Sequence, residues 1–154
     1  MVEVTTVSSI AELKELQGKE LGPTEWYTVD QDKVNAFADA TEDHQWIHID
    51  VERAKASPLG GTIVHGLFTL SLGPYFSEQL IQLEGFTHTL NYGYNKVRFP
   101  HPLPVGTRIR VTSTISSVEE VGEGSAQVTT VQVYEAEGIE KPVCVAEALG
   151  RYTE

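Results

Sequence analysis

A carboxylate and an imidazole stand five residues apart, at Asp43 and His48, within the segment Thr41–His48. The large apolar neighbours Trp46 and Ile47 are expected to bury both groups and thereby to change their proton affinities. The two side chains can then act as an acid–base pair, in which one takes a proton from water while the other donates or orients one. A structural interpretation stays open beside it, with Asp43 capping a turn and His48 held by hydrogen bonds.

Other chemistries find less support in the sequence. A metal site built from Asp43, His44 and His48 lacks the helical HExxH pattern, and Cys144 is the only cysteine, so we expect no bound metal. No Gly-x-Ser-x-Gly elbow of a serine hydrolase occurs. Neither a G-x-G-x-x-G fingerprint nor a P-loop is present, which argues against nicotinamide and nucleoside-triphosphate chemistry.

A glycine-rich segment, Gly60–Gly66, leads into an apolar helix that is predicted to begin near Ile63. Backbone N–H groups at a helix start lack an intrahelical acceptor and favour negative charge. The Gly66 amide can therefore stabilise a carbonyl oxygen as it becomes an oxyanion. His65 beside it is predicted to be a satisfied structural histidine rather than a third catalyst.

The elements that position these groups indicate an α+β fold. Asp30 is placed to cap a helix that ends near Thr41, and residues 42–49 are predicted to form a loop. Apolar residues fall on every side of a helix predicted over residues 63–83, so other structure must enclose it, and Pro74 should kink it. The second half alternates with a period of two, which predicts long antiparallel strands over Thr107–Val118, Ser125–Glu135 and Pro142–Tyr152. We expect one domain over residues 1–154, with the helix in the concavity of a curved sheet.

Charge and composition restrict the partners. The chain of 154 residues has 22 acidic and 11 basic residues, a net charge of −11 that repels nucleic acid and anionic membranes alike. Residues 85–118 contain no acid but hold four of the eleven bases, Lys96, Arg98, Arg108 and Arg110. Such a region suits a small phosphate-bearing ligand, although an ordinary solvent-facing surface explains it equally well.

The chain is expected to be cytoplasmic. Its single cysteine cannot form an internal disulfide and suits a reducing compartment. Residues 1–20 contain no apolar stretch that could serve as a signal peptide, and the most apolar segment, residues 63–72, is too short to cross a bilayer.

These residues resemble a known family. The stretches Phe37–Asp50 and Gly61–Gly66 resemble the hydratase motif of the MaoC-like dehydratases, the (R)-specific enoyl-CoA hydratases, and most closely their nodulation-protein-N-like branch. The segments Asn91–Phe99 and Pro100–Pro104 resemble the region that follows the central helix in that branch. The resemblance implies a hotdog fold, a curved antiparallel sheet wrapped around a long helix, that forms a homodimer with active sites at the subunit boundary.

The resemblance also implies a reaction and its residues. Asp43 and His48 match the catalytic pair, and Gly66 matches the glycine whose amide holds the thioester carbonyl. The implied activity is the reversible addition of water to trans-2-enoyl-CoA, which gives (R)-3-hydroxyacyl-CoA without a further cofactor, since coenzyme A enters with the acyl-CoA substrate. The acid-free region over residues 85–118 is expected to supply part of the site for its phosphates, with Lys96 or Arg98 as the first candidates and Arg108 or Arg110 less favoured. The alternatives are a hotdog acyl-CoA thioesterase and a non-catalytic acyl-CoA-binding protein.

Some positions depart from the motif. The family usually reads Gly-Asp-x-Asn-Pro-x-His, whereas Glu42, Gln45 and Trp46 stand here, and Pro74 replaces a serine found in some hydratases. Aromatic side chains crowd the elements that would line the site, which favours short to medium acyl chains: Trp46, Phe68 and Phe76.

Overall fold

A large antiparallel sheet packs against two short consecutive helices in the computed structural model, which describes residues 1–154. The eight strands are β1 (Thr5–Val7), β2 (Glu20–Leu21), β3 (Tyr27–Thr28), β4 (Ile81–Leu83), β5 (His88–Arg98), β6 (Arg108–Gly122), β7 (Ser125–Ala136) and β8 (Cys144–Thr153). The six helices are α1 (Ile10–Glu15), α2 (Gln31–Thr41), α3 (Trp46–Ile49), α4 (Val51–Lys55), α5 (Gly66–Ser71) and α6 (Gly73–Glu78). The predicted α+β class is confirmed.

The six-stranded sheet has the order β2-β6-β7-β8-β5, and β3 also pairs with β6. The three long strands predicted from the period of two are confirmed as β6, β7 and β8, with 15, 12 and 10 residues. Register shifts mark bulges in β6 and β5, which bend long strands and increase their twist. The edge strand β5, which periodicity did not predict, pairs only with β8.

The central helix is shorter than predicted and is divided. Instead of one helix over residues 63–83, α5 and α6 are separated at Leu72, where φ is −78° and ψ is −3°. Pro74 accounts for the break, because its ring lacks an N–H and clashes with the carbonyl four residues before it, that of Leu70. Before α5, Ile63 forms a bridge with Pro104, and residues 81–83 become β4, which pairs in parallel with β1. The helix is also not enclosed on every side, since Leu67 is 63% exposed.

The core fills the space between these helices and the sheet. Phe68 and Phe76 pack in one cluster with Tyr134 of β7, and Val34 joins it from α2. A second cluster forms where Leu13 of α1 packs on the other end of β6 and β7. None of the six helices has the length and hydropathy that a membrane crossing requires.

Local capping positions the segment that carries the chemistry. The Asp30 side chain accepts a hydrogen bond of 2.9 Å from the Lys33 N–H, so the predicted start of α2 is confirmed. Glu42 ends α2 with φ at +63°, a left-handed conformation that disfavours most side chains and favours the glycine typical of the family motif. The predicted loop over residues 42–49 is wrong at its second half, because α3 forms one helical turn there.

Candidate active site

His48 lies on α3 and is held from three directions. Its Nδ1 lies 2.7 Å from the Ile63 carbonyl oxygen, its main-chain N–H donates to the Gln45 carbonyl, and its own carbonyl accepts from Nε2 of Gln31. Gln31 also accepts from the Thr62 hydroxyl at 2.6 Å, which joins α2 to the segment before α5. The side chain is only 7% exposed, as the sequence predicts.

The contact with Ile63 fixes which ring nitrogen of His48 is free. A carbonyl oxygen only accepts hydrogen bonds, so Nδ1 must carry the proton. In the neutral ring the lone pair is therefore on Nε2, where it can accept a proton from water.

Asp43 lies beside this ring but is exposed. One donor atom of Asp43, one of His48 and one of His65 all lie within 4.8 Å of one another. The expectation that Trp46 and Ile47 bury the carboxylate is wrong, because Asp43 stays open to solvent and the Trp46 ring packs under the Arg53 guanidinium at 4.2 Å.

His65 is the third member of this cluster, although the sequence predicts only a structural role for it. Its ring stacks on His48, with centroids 3.9 Å apart and planes inclined by 24°, and its Nε2 lies 3.1 Å from the Asp43 carbonyl oxygen. That bond leaves the lone pair of the neutral ring on Nδ1, which is buried without a hydrogen-bond partner. His65 is therefore not the satisfied structural histidine that the sequence predicts. Its position next to Gly66 in the chain is the signal that pointed to it.

The environment of His65 keeps its ring neutral. Burial lowers the pKa of His65 below the ordinary histidine value, and the nearby His48 acts in the same direction, against the hydrogen bond to the Asp43 carbonyl.

Because the pKa of His65 is lowered, we expect the stability of the folded chain to depend on pH. Because the folded pKa is lowered, the unfolded chain binds more protons between that value and about 6.5, so this contribution to stability falls as the pH drops through that window. We expect the melting temperature of the wild type to fall more between pH 7.5 and 5.5 than that of His65→Gln, which keeps an N–H for the Asp43 carbonyl. An equal fall in both proteins, measured by calorimetry, would contradict this origin.

The three-residue cluster suits proton transfer better than metal binding. His44, the histidine of the metal alternative, instead contacts Asp39 on the protein surface, with Nε2 2.9 Å from a carboxylate oxygen, and this hydrogen bond raises the pKa of His44. His48 and His65 stack face to face, whereas imidazoles that share one zinc ion point their in-plane lone pairs at a common position 2.0–2.1 Å away.

Gly66 begins α5 directly beyond this cluster. The first main-chain bonds of the helix are those from Phe68 and Thr69 to the His65 carbonyl, so the Gly66 N–H has no acceptor within the helix. The Phe99 ring packs on Gly66, and a Cβ added at Gly66 would lie 3.1 Å from it. The glycine thus permits a close approach of the aromatic ring while its N–H stays available.

Of the four bases in residues 85–118, two form ion pairs and two do not. Arg108 forms a bidentate ion pair with Glu137, and Arg110 pairs with Glu135. Residues 85–118 are free of acids in the sequence, but Glu135 of β7 and Glu137 just after β7 supply carboxylates to the two arginines of β6.

Lys96 and Arg98 remain without a carboxylate within 4 Å. Both are exposed on the edge strand β5. Of the four bases in residues 85–118, these two stay available to an anionic ligand.

Two of the three aromatic residues expected to limit the acyl chain belong to the core. Phe76 is fully buried against Tyr134, and Phe68 packs edge to face on Phe37 at 5.3 Å. They support the helices from the core side, so they give no reason for a short chain.

The chain is similar to known proteins over most of its length. The model of the MaoC-like domain matches residues 12–137. A 3-hydroxyacyl-thioester dehydratase Z of Mycobacterium tuberculosis is 50% identical over 147 residues, which cover 96% of this chain and 97% of that protein. Nodulation protein N of Rhizobium leguminosarum bv. viciae is 43% identical over 141 residues, covering 90% of this chain and 87% of the relative. An R-hydratase from Pseudomonas aeruginosa superposes with a TM-score of 0.72 at 19% identity, over 95% of this chain and 86% of that one, which shows a shared hotdog fold.

The fold and the matched relatives define the class as hotdog hydro-lyases. The chain belongs to the MaoC-like dehydratase family, and both the resemblance to it and the predicted enzyme class are confirmed.

Proposed function

We propose that the protein catalyses the reversible addition of water to a trans-2-enoyl-CoA to give an (R)-3-hydroxyacyl-CoA. The observation that carries this proposal is the placement of the Asp43 carboxylate within 4.8 Å of a buried His48 whose Nε2 is the free ring nitrogen. The similarity to a relative named for dehydration of 3-hydroxyacyl thioesters supports the same substrate class.

In the hydration direction, Asp43 and His48 hold one water molecule between them. As a proton leaves this water, its oxygen forms a bond to C3, the C2–C3 π bond breaks, and the electron pair moves toward the thioester oxygen. Asp43 and His48 then return a proton to C2, so that atoms and charge balance and no cofactor takes part. Asp43 and His48 share the proton transfers to and from the substrate.

Gly66 and His65 complete the proposed site. The Gly66 N–H donates to the thioester oxygen as negative charge develops there, an interaction that strengthens in the transition state. His65 donates Nε2–H to the Asp43 carbonyl and stacks on His48, so it holds the loop of the acid–base pair against the start of α5. We assign it a positioning role.

One assay separates this function from the two alternatives. Purified protein is mixed with crotonyl-CoA, and the enoyl absorbance and the free thiol are followed together. Loss of absorbance without thiol supports hydration. Release of thiol identifies a thioesterase, and binding without either change identifies an acyl-CoA-binding protein; both of these results overturn the proposal.

The coenzyme A part of the substrate is proposed to contact Lys96 and Arg98. Both cations are exposed and unpaired, whereas Arg108 is neutralised by Glu137. We expect Lys96→Ala and Arg98→Ala each to raise KM severalfold and to weaken its dependence on salt, because phosphate contacts are screened by ions. Arg108→Ala serves as the matched control and should leave KM unchanged. Steady-state kinetics with unchanged KM in all three variants would contradict the phosphate site.

We also propose a homodimer that pairs through β5. This edge strand exposes Leu90, Tyr92 and Tyr94, and Phe99 directly after it is exposed as well. A soluble monomer would cover such apolar side chains or replace them by charges. Light scattering at micromolar concentration should therefore give twice the chain mass of 17.0 kDa.

Two variants locate the contact. Tyr92→Glu places a charge on β5 and should favour the monomer, whereas Val51→Glu, at a comparably exposed apolar position on α4, should not. A wild type that is monomeric, or a Tyr92→Glu protein that stays dimeric, would contradict the pairing through β5.

The proposed location is the cytoplasm. Cys144 is the only cysteine and its thiol is free and buried, which fits a reducing compartment. Coenzyme A thioesters are then the only partner that the proposed reaction requires besides water.

A further inference from the structure

A second concave site lies between α6 and the inner face of the sheet. It is a cavity of about 170 Å³ whose walls come from α6, β4 and the four long strands. Side chains with hydroxyl or amide groups face it from several of these elements, among them Ser77, Tyr94, Ser113, Thr130 and Gln132. Hydrophobic side chains form about half of the lining, so the hydroxyl and amide groups among them are the feature that a plain alkyl channel does not explain.

Ser113 carries the strongest signal. Its residue is only 4% exposed, and its hydroxyl oxygen is buried without a hydrogen-bond partner. Ser113 lies opposite Gln132 in the register of β6 and β7, so both side chains belong to the same face of the sheet. A buried hydroxyl without a partner is unfavourable, which indicates that a ligand atom completes it.

Gln132 leaves a second free donor next to it, the Ser77 hydroxyl. The Gln132 Nε2 donates to the Ser77 hydroxyl oxygen at 3.0 Å, and its Oε1 accepts from the Tyr134 hydroxyl at 3.3 Å. The amide is thereby oriented, and the Ser77 oxygen is used as an acceptor. The Ser77 O–H is then free to donate, as is the O–H of Ser113.

The charges of the lining restrict what these donors bind. No lysine, arginine or histidine lines the cavity, and Glu78 contributes a carboxylate. An anionic group would meet repulsion and no cation. A neutral oxygen, in a hydroxyl or an oxo group, matches two free O–H donors in a cavity of this charge.

The cavity lies along α6, the second of the two helices that follow the proposed oxyanion donor. Gly73 and Ser77 are four residues apart on α6 and share one of its faces. At a rise of 1.5 Å per residue, Gly73 lies at most about 10 Å and Ser77 at most about 16 Å from Gly66. An extended ten-carbon chain spans roughly 11 Å, given carbon–carbon bonds of about 1.5 Å.

We infer that this cavity receives the far end of the acyl chain and selects chains that carry a neutral oxygen substituent there over unsubstituted chains of the same length. The inference rests on the proposed function, because it treats the Gly66 N–H as the point where the thioester is held. Ser113 and Ser77 donate to the substituent.

Paired substrates test the selection. We expect wild-type kcat/KM to be about tenfold higher for ω-hydroxy-trans-2-decenoyl-CoA than for trans-2-decenoyl-CoA, the size of one good neutral hydrogen bond. The ratio of the two values should fall to about one in Ser113→Ala, and Ser113→Thr, which keeps a hydroxyl, should restore part of it. Ser116→Ala is the matched control, since Ser116 lies on the same strand but is exposed and bonds to the Thr129 carbonyl.

The ratio is taken within each variant, so a general loss of activity or folded protein cancels. Equal rates on both substrates, or a ratio that Ser113→Ala leaves unchanged, would overturn the inference and leave water as the occupant of the cavity.

A second measurement separates this result from a failure of the proposed function. The saturated ω-hydroxydecanoyl-CoA and decanoyl-CoA are titrated calorimetrically, and the hydroxylated ligand should bind about tenfold more tightly to the wild type. If crotonyl-CoA is not hydrated but this preference in binding is found, the proposed function fails and the cavity assignment stands. If crotonyl-CoA is hydrated without the preference, the reverse holds.

Discussion

Replacement of Asp43 by Asn or of His48 by Gln is expected to lower kcat/KM for hydration by at least about a hundredfold, because positioned acid–base groups contribute roughly 10²–10⁴-fold to such reactions. Both changes keep the size of the side chain and remove its ability to exchange a proton. The Gln at residue 48 retains an N–H for the Ile63 carbonyl, so the folded structure and thioester binding should survive. Kinetics and thermal melting of each variant check the two statements separately.

The neighbours of the pair provide matched controls. Glu42→Gln and His44→Gln make the same chemical changes at the two residues next to Asp43. His44 contacts Asp39 and takes no part in the cluster. The double variant Asp43→Asn with His48→Gln should be hardly slower than either single variant, since residues that act as one unit are strongly non-additive. Near-normal hydration by either single variant would contradict the assignment, and a double variant far slower than both would contradict a shared water.

The second large effect is expected at Gly66. Gly66→Pro removes the N–H proposed to hold the thioester oxygen, and loss of one such donor costs about 10²–10³-fold in kcat. The backbone tolerates proline here, because the first helical position needs no N–H bond and the preceding His65 already has φ −57° and ψ 130°.

Gly66→Ala isolates the role of that N–H. Alanine and proline both place a Cβ about 3.1 Å from the Phe99 ring, so both displace Phe99 similarly, but only proline lacks the donor. We expect the alanine variant to retain most of the wild-type kcat. Equal rates for the two variants would show that the Gly66 N–H does not contribute to the reaction.

Features set by neighbouring residues were predictable from the sequence. Asp30 caps α2 through its own third neighbour, and the period of two in β6, β7 and β8 reflects strands with one face on the core. Asp43 and His48 lie close together because α3, the single helical turn that carries His48, begins three residues after Asp43. The positive φ at Glu42 explains why the family motif usually has glycine there.

Features set by distant pairing were not predictable in this way. His65 joins Asp43 and His48 only because the segment before α5 bonds to Ile47 and to Leu103. Arg110 forms an ion pair with Glu135, its direct partner in the register of β6 and β7, although no acid lies near it in sequence. The strand β5 has no apolar alternation because most of its side chains are exposed at the sheet edge.

The most direct test of the proposed reaction is the configuration of the product formed from crotonyl-CoA. One water oriented by Asp43 and His48 can attack only one face of the double bond. We expect chiral chromatography of the wild-type reaction to show (R)-3-hydroxybutyryl-CoA as the single enantiomer, with no free coenzyme A. A racemic or (S) product, or free coenzyme A without any hydroxyacyl product, would contradict it.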